Sequence, residues 1–226
     1  MSTAPESVNA LLSALHAERL ASWPAAQLES NIRQRRRLVE NADRERFVKT
    51  GDRVAPFTLE AHDGSPLHLD DLLRDGPLVL IFFRFAGCPA CNLALPSYAR
   101  TLFPALAAHG ATLVAVTPQI PARAAEIGTR HALPFAIATD PDNRLARRFG
   151  IAFEPDDATK QSALANGNFI GDTTGTGTWE LPMPTALVID RNRMVRFAEV
   201  SPDWMDRAEA GPILDTLDRL HRSVAA

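Results

Sequence analysis

The chain has 226 residues, of which 46% are hydrophobic and 23% charged, with a formal net charge of −3 at pH 7. This composition is typical of a globular protein, and so small a charge does not favour nucleic acid or an anionic membrane as a partner. No apolar run reaches the roughly 20 residues that span a bilayer, and the N-terminus lacks the pattern of a secretory signal. The sequence therefore predicts a cytoplasmic protein.

Residues 1–50 are predicted to form an N-terminal helical extension. A second helix is expected from residue 24 to about residue 46, and its basic run RQRRR is interpreted as a solvated helix face balanced by neighbouring acidic residues rather than as an anion-binding patch. The first helix carries leucines near helical spacing: Leu11, Leu12, Leu15 and Leu20. Two alternatives stay open for this stripe, a homodimer contact or packing against the chain's own sheet.

After Gly51 the pattern changes to strands that alternate with helices. Strands are predicted at residues 56–61, 77–85, 111–118, 135–140, 185–190 and 194–200. Helices are predicted at residues 89–109, 121–132, 143–150 and 210–224, and residues 151–181 are expected to be irregular. Alternation predicts parallel pairing, with a late antiparallel hairpin. Residues 51–226 are therefore predicted to form one α/β domain, a mixed central sheet flanked by helices.

The two cysteines of the chain, Cys88 and Cys91, lie where an apolar strand gives way to a helix. Pro89 suits the first helical position, so Cys88 is expected at the N-cap, where unpaired N–H groups and the positive end of the helix dipole favour a thiolate. Cys91 follows one turn later on the same face, within reach of an oxidised Cys88. This placement favours redox chemistry over a structural disulfide, half of a zinc site or two inert core thiols.

Two motifs carry a resemblance to thioredoxin-like proteins. In CPACNLALP the C-x-x-C is followed by a proline at the fifth position, Pro96, and in PMPTALVID a proline, Pro184, precedes the threonine that opens a strand. The wider pattern, from GDRVAPFTLEAHDGSPLHLDDLL to WELPMPTALVIDRNRMVRFAEVSPDW, is similar to the AhpC/TSA group and its peroxiredoxin-like branch over nearly the whole chain. The resemblance implies a thioredoxin-like fold in which Pro184 takes the place of the family's cis-proline, with its isomer left open, and in which Met183 and Pro184 line the surface beside the two cysteines.

The sequence departs from the expected family pattern around the first cysteine. Phe85 stands where a peroxiredoxin carries a hydroxyl, Ile81 where it carries a proline, and Pro184 where it carries an arginine. Phe82 replaces the acidic residue of a thioredoxin. Arg84, four residues before Cys88, is a candidate to stabilise the thiolate, the alternative being a structural arginine at a strand end.

Three further residues are considered as candidates for a role at the site. Arg196 is a second candidate cation if its side chain points inward. Asp190 is expected to end a strand and shape a turn. Trp179 is interpreted as packing under a loop rather than as a lid. The six histidines show no diagnostic spacing, and no metal, flavin or nucleotide cofactor is implied.

The resemblance implies a thiol peroxidase. Cys88 attacks hydrogen peroxide or an organic hydroperoxide, Cys91 closes a disulfide, and an external dithiol such as thioredoxin reduces that disulfide. The alternative is a thioredoxin-like thiol–disulfide oxidoreductase that acts on small or protein disulfides. A third hypothesis, from another class, is a redox-fold sensor or binding module whose N-terminal helices dock a partner.

Overall fold

A computed structural model describes residues 6–224, so the first five residues of the predicted extension and the last two of the predicted domain lie outside it. The strands are β1 (Thr58–Ala61), β2 (Pro66–His68), β3 (Leu78–Phe82), β4 (Thr112–Thr117), β5 (Ala136–Thr139), β6 (Ala152–Phe153), β7 (Leu181–Pro182), β8 (Thr185–Ile189) and β9 (Val195–Val200). The helices are α1 (Val8–Ser22), α2 (Ala25–Glu40), α3 (Leu69–Leu72), α4 (Pro89–Thr101), α5 (Phe103–Leu106), α6 (Pro121–His131), α7 (Arg144–Arg148), α8 (Asp157–Ala165), α9 (Ile170–Thr174) and α10 (Ala210–Val224). No described helix combines the length and the apolar character needed to cross a membrane.

Seven strands form one mixed sheet in the order β2-β1-β5-β4-β3-β8-β9. β3 pairs with β4, and β4 with β5, in parallel, because helices separate these strands along the chain. β8 pairs antiparallel with β3 and, through a tight hairpin, with β9. The predicted mixed sheet flanked by helices is confirmed. Strand β3, which lies between β4 and β8 inside the sheet, is buried along its whole length, as the continuous apolar run indicated.

Side chains of β3 alternate between two hydrophobic cores, one on each face of the sheet. Val79 and Ile81 lie on the face covered by α1, α4, α6 and α10, which we call the α4 face. Leu78, Leu80 and Phe82 lie on the opposite face, which is covered by α3, α7 and a small antiparallel sheet of β6 and β7. Both cysteines belong to the α4 face, so the site is built on one side of the sheet.

The two N-terminal helices pack differently. On α1, Val8 and Leu12 are buried in the core of the α4 face. Leu20, the last leucine of the predicted stripe, is 56% exposed. The stripe thus packs against the chain's own domain in its first half, while a homodimer contact stays a prediction. Helix α2 ends at Glu40, earlier than expected, and has no buried residue.

Two other segments differ from the predicted elements. The helix predicted to reach residue 109 ends at Thr101, because Pro104 has no N–H to donate to the carbonyl of Arg100. The segment expected to be irregular contains β6, α8, α9 and the start of β7, and β6 and β7 pair as a separate two-stranded sheet. Asp156 caps α8, its carboxylate accepting a hydrogen bond from the backbone N–H of Thr159 at 2.8 Å. That capping signal was present in the sequence and was missed.

Candidate active site

The turn between β3 and α4 places Cys88 at the start of the helix. Cys88 is the N-cap residue, with φ −72° and ψ 118°, and Pro89 begins α4, as predicted. Upstream, the N–H of Ala86 donates to Oε1 of the buried Gln119 at 2.6 Å, which fixes the turn against the end of β4. Pro96 lies inside α4, two turns after the N-cap. The first turn of α4 therefore presents both cysteines to the core of the α4 face.

The two sulfurs have opposite acid–base character. Both cysteines are free thiols, and Cys88 is 2% and Cys91 0% exposed. The pKa of Cys88 is lowered to about 5, mainly by a hydrogen bond from Cys91. Burial of Cys88 opposes this shift, whereas the positive charges of Arg84 and Arg207 add to it. Burial and the same hydrogen bond raise the pKa of Cys91. Near neutral pH the pair thus holds one thiolate and one thiol.

Arg84 lies beside the cysteine pair, between two aromatic rings. Its guanidinium carbon is 4.3 Å from the centroid of the Trp204 ring and 5.4 Å from that of Phe85. Its Nε is buried and has no hydrogen-bond partner. Phe85, at the position where a peroxiredoxin hydroxyl was expected, packs on this arginine instead. An acceptor that enters beside Arg84 would find an unused N–H donor.

A second cation at the pair, Arg207, was missed by the sequence reasoning. It lies just before α10, is 4% exposed, and places its Nη2 4.0 Å from Sγ of Cys91. Arg19 of α1, which is 5% exposed, also interacts electrostatically with Cys88. Neither arginine belongs to a motif, and each is far from the cysteines in sequence. The one available signal was the position of Arg207, a charged residue within the partly apolar stretch that joins the last strand to the last helix.

Met183 and Pro184, just before β8, have different surroundings. Pro184 lines a small cavity together with Ile81 and Arg207, the arginine whose Nη2 lies 4.0 Å from Sγ of Cys91. Met183 packs into the core of the opposite face, and its N–H donates to the carbonyl of Ile151 at 2.7 Å. The motif leaves the isomer at Pro184 open, and every described peptide bond of the structure is trans. Trans is the intrinsically favoured X–Pro isomer.

Arg196 and Asp190 pair with each other at the far end of the β8–β9 hairpin. Nε of Arg196 donates to Asp190 at 2.7 Å, so the alternative that placed Arg196 in the cysteine pocket is wrong. The other carboxylate oxygen of Asp190 accepts hydrogen bonds from the N–H groups of Asn192 at 2.8 Å and Met194 at 3.0 Å. This is the turn-shaping role expected of that aspartate.

Trp179 packs within the loop, as expected. Its ring meets that of Phe169 edge-on, with centroids 4.7 Å apart.

A cavity of about 640 Å³ lies between α2 and the two-stranded sheet of β6 and β7. Charged side chains on its wall pair with one another, Arg37 with Asp156 and Arg147 with Glu180.

A polar network between α4 and α6 holds the cysteine turn from outside, and no sequence motif indicated it. The amide nitrogen of Asn92 donates to the carbonyls of Ala86 at 2.7 Å and Cys88 at 2.9 Å. The amide oxygen of Asn92 accepts hydrogen bonds from Nη1 of Arg130 at 2.9 Å and from Nε2 of His131 at 2.7 Å. Burial, aided by Arg130, lowers the pKa of His131. The network orients backbone groups and does not touch the sulfurs.

The chain is similar to known proteins in both sequence and structure. The AhpC/TSA family model matches residues 50–198. A Mycobacterium tuberculosis protein named as a peroxiredoxin is 31% identical over 104 residues, which make up 46% of this chain and 67% of the relative. The crystal structure of peroxidoxin BcpB from Mycobacterium tuberculosis superposes on this chain with a TM-score of 0.59 at 25% identity, and the match covers 76% of this chain and 98% of that one.

A more distant structure agrees in fold. A mutant of peroxiredoxin 6 from Arenicola marina superposes with a TM-score of 0.60 at 17% identity, covering 78% of this chain and 75% of that one. The predicted thioredoxin-like fold is thereby confirmed. The family match spans the cysteine turn, the parallel strands and β8. The chain therefore belongs to the AhpC/TSA family and is an oxidoreductase of the peroxiredoxin type.

Proposed function

We propose that the chain is a thiol peroxidase that reduces hydrogen peroxide or an organic hydroperoxide through a dithiol–disulfide cycle of Cys88 and Cys91. The observation that carries the proposal is the asymmetry of the pair. The pKa of Cys88 is lowered to about 5 by a hydrogen bond from Cys91 and by two arginines, while the pKa of Cys91 is raised by burial. A nucleophile and a protonated resolving thiol thus lie within one helical turn.

In the first step the Cys88 thiolate attacks one oxygen of the peroxide. An S–O bond forms, the O–O bond breaks, and the leaving oxygen takes a proton to become water or an alcohol. Negative charge moves from sulfur to oxygen during this step. Two cations can stabilise this negative charge: Arg84, whose buried Nε has no hydrogen-bond partner, and Arg207.

In the second step Cys91 attacks the sulfur of the Cys88 sulfenic acid. An S–S bond forms, the S–O bond breaks, and the Cys91 proton leaves with the hydroxide as water. An external dithiol then reduces the disulfide by exchange and is itself oxidised. Thioredoxin is the reductant we propose: it would approach over the exposed residues Gly87 and Pro89, and its thiolate would attack the sulfur of Cys88 and release the Cys91 thiolate. Two free thiols fit a reducing compartment, so a cytoplasmic location belongs to the same proposal.

The second candidate function is thiol–disulfide exchange without specific peroxidase activity. It is favoured by one observation, that Phe85 occupies the position where the family hydroxyl was expected to orient a peroxide. Its substrate would be a small or protein disulfide attacked by the same Cys88 thiolate. The two functions differ in what oxidises Cys88, so one kinetic comparison separates them.

The test is stopped-flow oxidation of the reduced protein by hydrogen peroxide and by cumene hydroperoxide, with Cys88→Ser as the blank. We expect a Cys88-dependent reaction far faster than that of free cysteine. Cys91→Ser should keep this first step and lose turnover with a dithiol, because no intramolecular disulfide can form. A rate equal to that of free cysteine, together with reduction of an insulin disulfide, would replace the peroxidase proposal with the exchange reaction.

A further inference from the structure

The segment Asp203–Glu209, which we call the arginine segment, connects the cysteine pair to the N-terminal helix. The fold of a redox domain does not require α1, yet this helix covers the α4 face directly beside α4. The arginine segment lies between them and carries Arg207, whose guanidinium reaches Sγ of Cys91. What holds the segment therefore determines where that charge lies.

Asn9 of α1 binds both backbone groups of Arg207. Its Oδ1 accepts the N–H of Arg207 at 2.9 Å, and its Nδ2 donates to the carbonyl of Arg207 at 2.7 Å. From the other side, the hydroxyl of Tyr98 on α4 donates to the carbonyl of Ala208 at 2.7 Å. The backbone groups of Arg207 and the carbonyl of Ala208 are thus hydrogen-bonded between α1 and α4.

Further contacts join α1 to the same segment. The Glu209 carboxylate accepts hydrogen bonds from the N–H groups of Val8 and Asn9, both at 3.1 Å, at the N-terminus of α1. Nη1 of Arg19 lies 3.6 Å from Sδ of Met205. Arg19 is also a cation that α1 itself brings within electrostatic reach of Cys88.

We infer that α1 is a positioning element of the redox site, with Asn9 holding Arg207 against the cysteine pair. The inference rests on the proposed function of that pair as a thiolate nucleophile. Charged groups reach the sulfurs from three elements: Arg84 after β3, Arg207 in the arginine segment and Arg19 in α1. Two of these three cations thus depend on α1. Arg207 faces the sulfur, and Asn9 is the positioning residue that acts through it.

The experiment measures the pH profile of Cys88 alkylation by iodoacetamide in the full chain, with the modified peptide identified by mass spectrometry. Removal of an opposite charge near a thiolate raises its pKa, so Arg207→Met should move the midpoint upward by about 1 unit. Arg207→Lys should restore part of the shift, because the charge returns without the planar guanidinium. Asn9→Ala should raise the midpoint by a smaller amount.

The control is Arg100→Gln, which breaks the exposed ion pair of Arg100 with Glu6 between α4 and the N-terminal segment. This variant should leave the alkylation midpoint unchanged. If Asn9→Ala does not fold, Asn9→Ser, which is too short for both contacts but keeps a polar group on the helix, must show the upward shift. A midpoint that stays at the wild-type value in a folded Asn9 variant while Arg207→Met shifts would overturn the role of α1.

The alkylation profile does not involve peroxide, so the inference and the proposed peroxidase activity fail separately. A chain that reacts slowly with peroxide but shows the Asn9 shift keeps α1 as a positioning element for disulfide exchange. A chain that reacts fast with peroxide and shows no Asn9 shift keeps the peroxidase and loses the inference.

Discussion

The two helices of the N-terminal extension are neighbours in sequence but are attached to the domain by different forces. Helix α1 buries Val8 and Leu12 in the core of the α4 face and meets the arginine segment through Asn9. Helix α2 has no fully buried residue: only the partly buried Leu38 packs against the core, and two ion pairs add to this contact, Arg35 to Asp203 and Arg37 to Asp156. Burial is worth more than a partly exposed ion pair. Helix α1 is therefore part of the fold, and α2 is a surface attachment.

The largest expected effect is loss of the α1 core contact. Leu12→Ala removes a side chain that is fully buried and should lower the free energy of unfolding by about 2 to 5 kcal/mol. Leu20→Ala, on the same helix but at a residue 56% exposed, should change it by at most about 0.5 kcal/mol. Urea unfolding of the two variants measures the difference. Equal losses would show that α1 is not anchored by burial.

The next effect tests the polar attachment of α1. Hydrogen bonds from Ser7, Val8 and Asn9 outweigh the burial that would raise the pKa of Glu209, so its pKa lies below the ordinary value. Glu209→Gln should lower the free energy of unfolding at pH 7 by about 1 to 2 kcal/mol. A depressed carboxyl pKa stabilises the fold fully above the unfolded value of about 4.3, and the contribution is lost as the pH falls through the folded value.

The measurement is the urea midpoint of the wild type and of Glu209→Gln at pH 7 and at steps down to pH 3. The gap between the two proteins should close as the pH falls, because the wild-type carboxylate becomes protonated. A gap that is constant across this range would mean that the charge of Glu209 contributes nothing to the docking of α1.

The smallest effect belongs to α2. Arg35 donates to both carboxylate oxygens of Asp203 at 2.6 and 2.7 Å. Arg35→Met should cost at most about 1 kcal/mol, since the pair is partly exposed to water, yet hydrogen exchange of the α2 amides should quicken while that of α1 stays slow. Arg74→Met, which breaks the exposed pair with Asp71, serves as the control for loss of a surface arginine. Faster exchange in α1 as well would mean that the two helices unfold together.

The sequence predicted local features of the site well and long-range ones poorly. Cys88 at the N-cap with Pro89 after it follows from the conformational preferences of a few adjacent residues, and the structure has both. Arg207 reaches Cys91 across 116 positions of the chain, and no local preference indicates such an approach. Arg84 was found only because it lies next to the cysteine turn.

Errors in the predicted fold have the same physical origin. The helix that ends at Thr101 was predicted too long because its apolar pattern continues past the point where Pro104 withholds an N–H. Helices α8 and α9 were missed because neither places more than a few side chains in a core, and so neither has a strong apolar period. The isomer at Pro184 depends on tertiary context, which a motif does not specify.

Pro96 gives α4 an internal break with a mechanical consequence. A proline at this position cannot donate to the carbonyl of Asn92, so the hydrogen-bond ladder of the helix is interrupted just after Cys91. In the proposed cycle, the bond between Cys88 and Cys91 would form in the first turn of α4, on the N-terminal side of this missing hydrogen bond. We therefore expect oxidation to change the turns after Pro96, which place Tyr98 in the core, less than it changes the first turn.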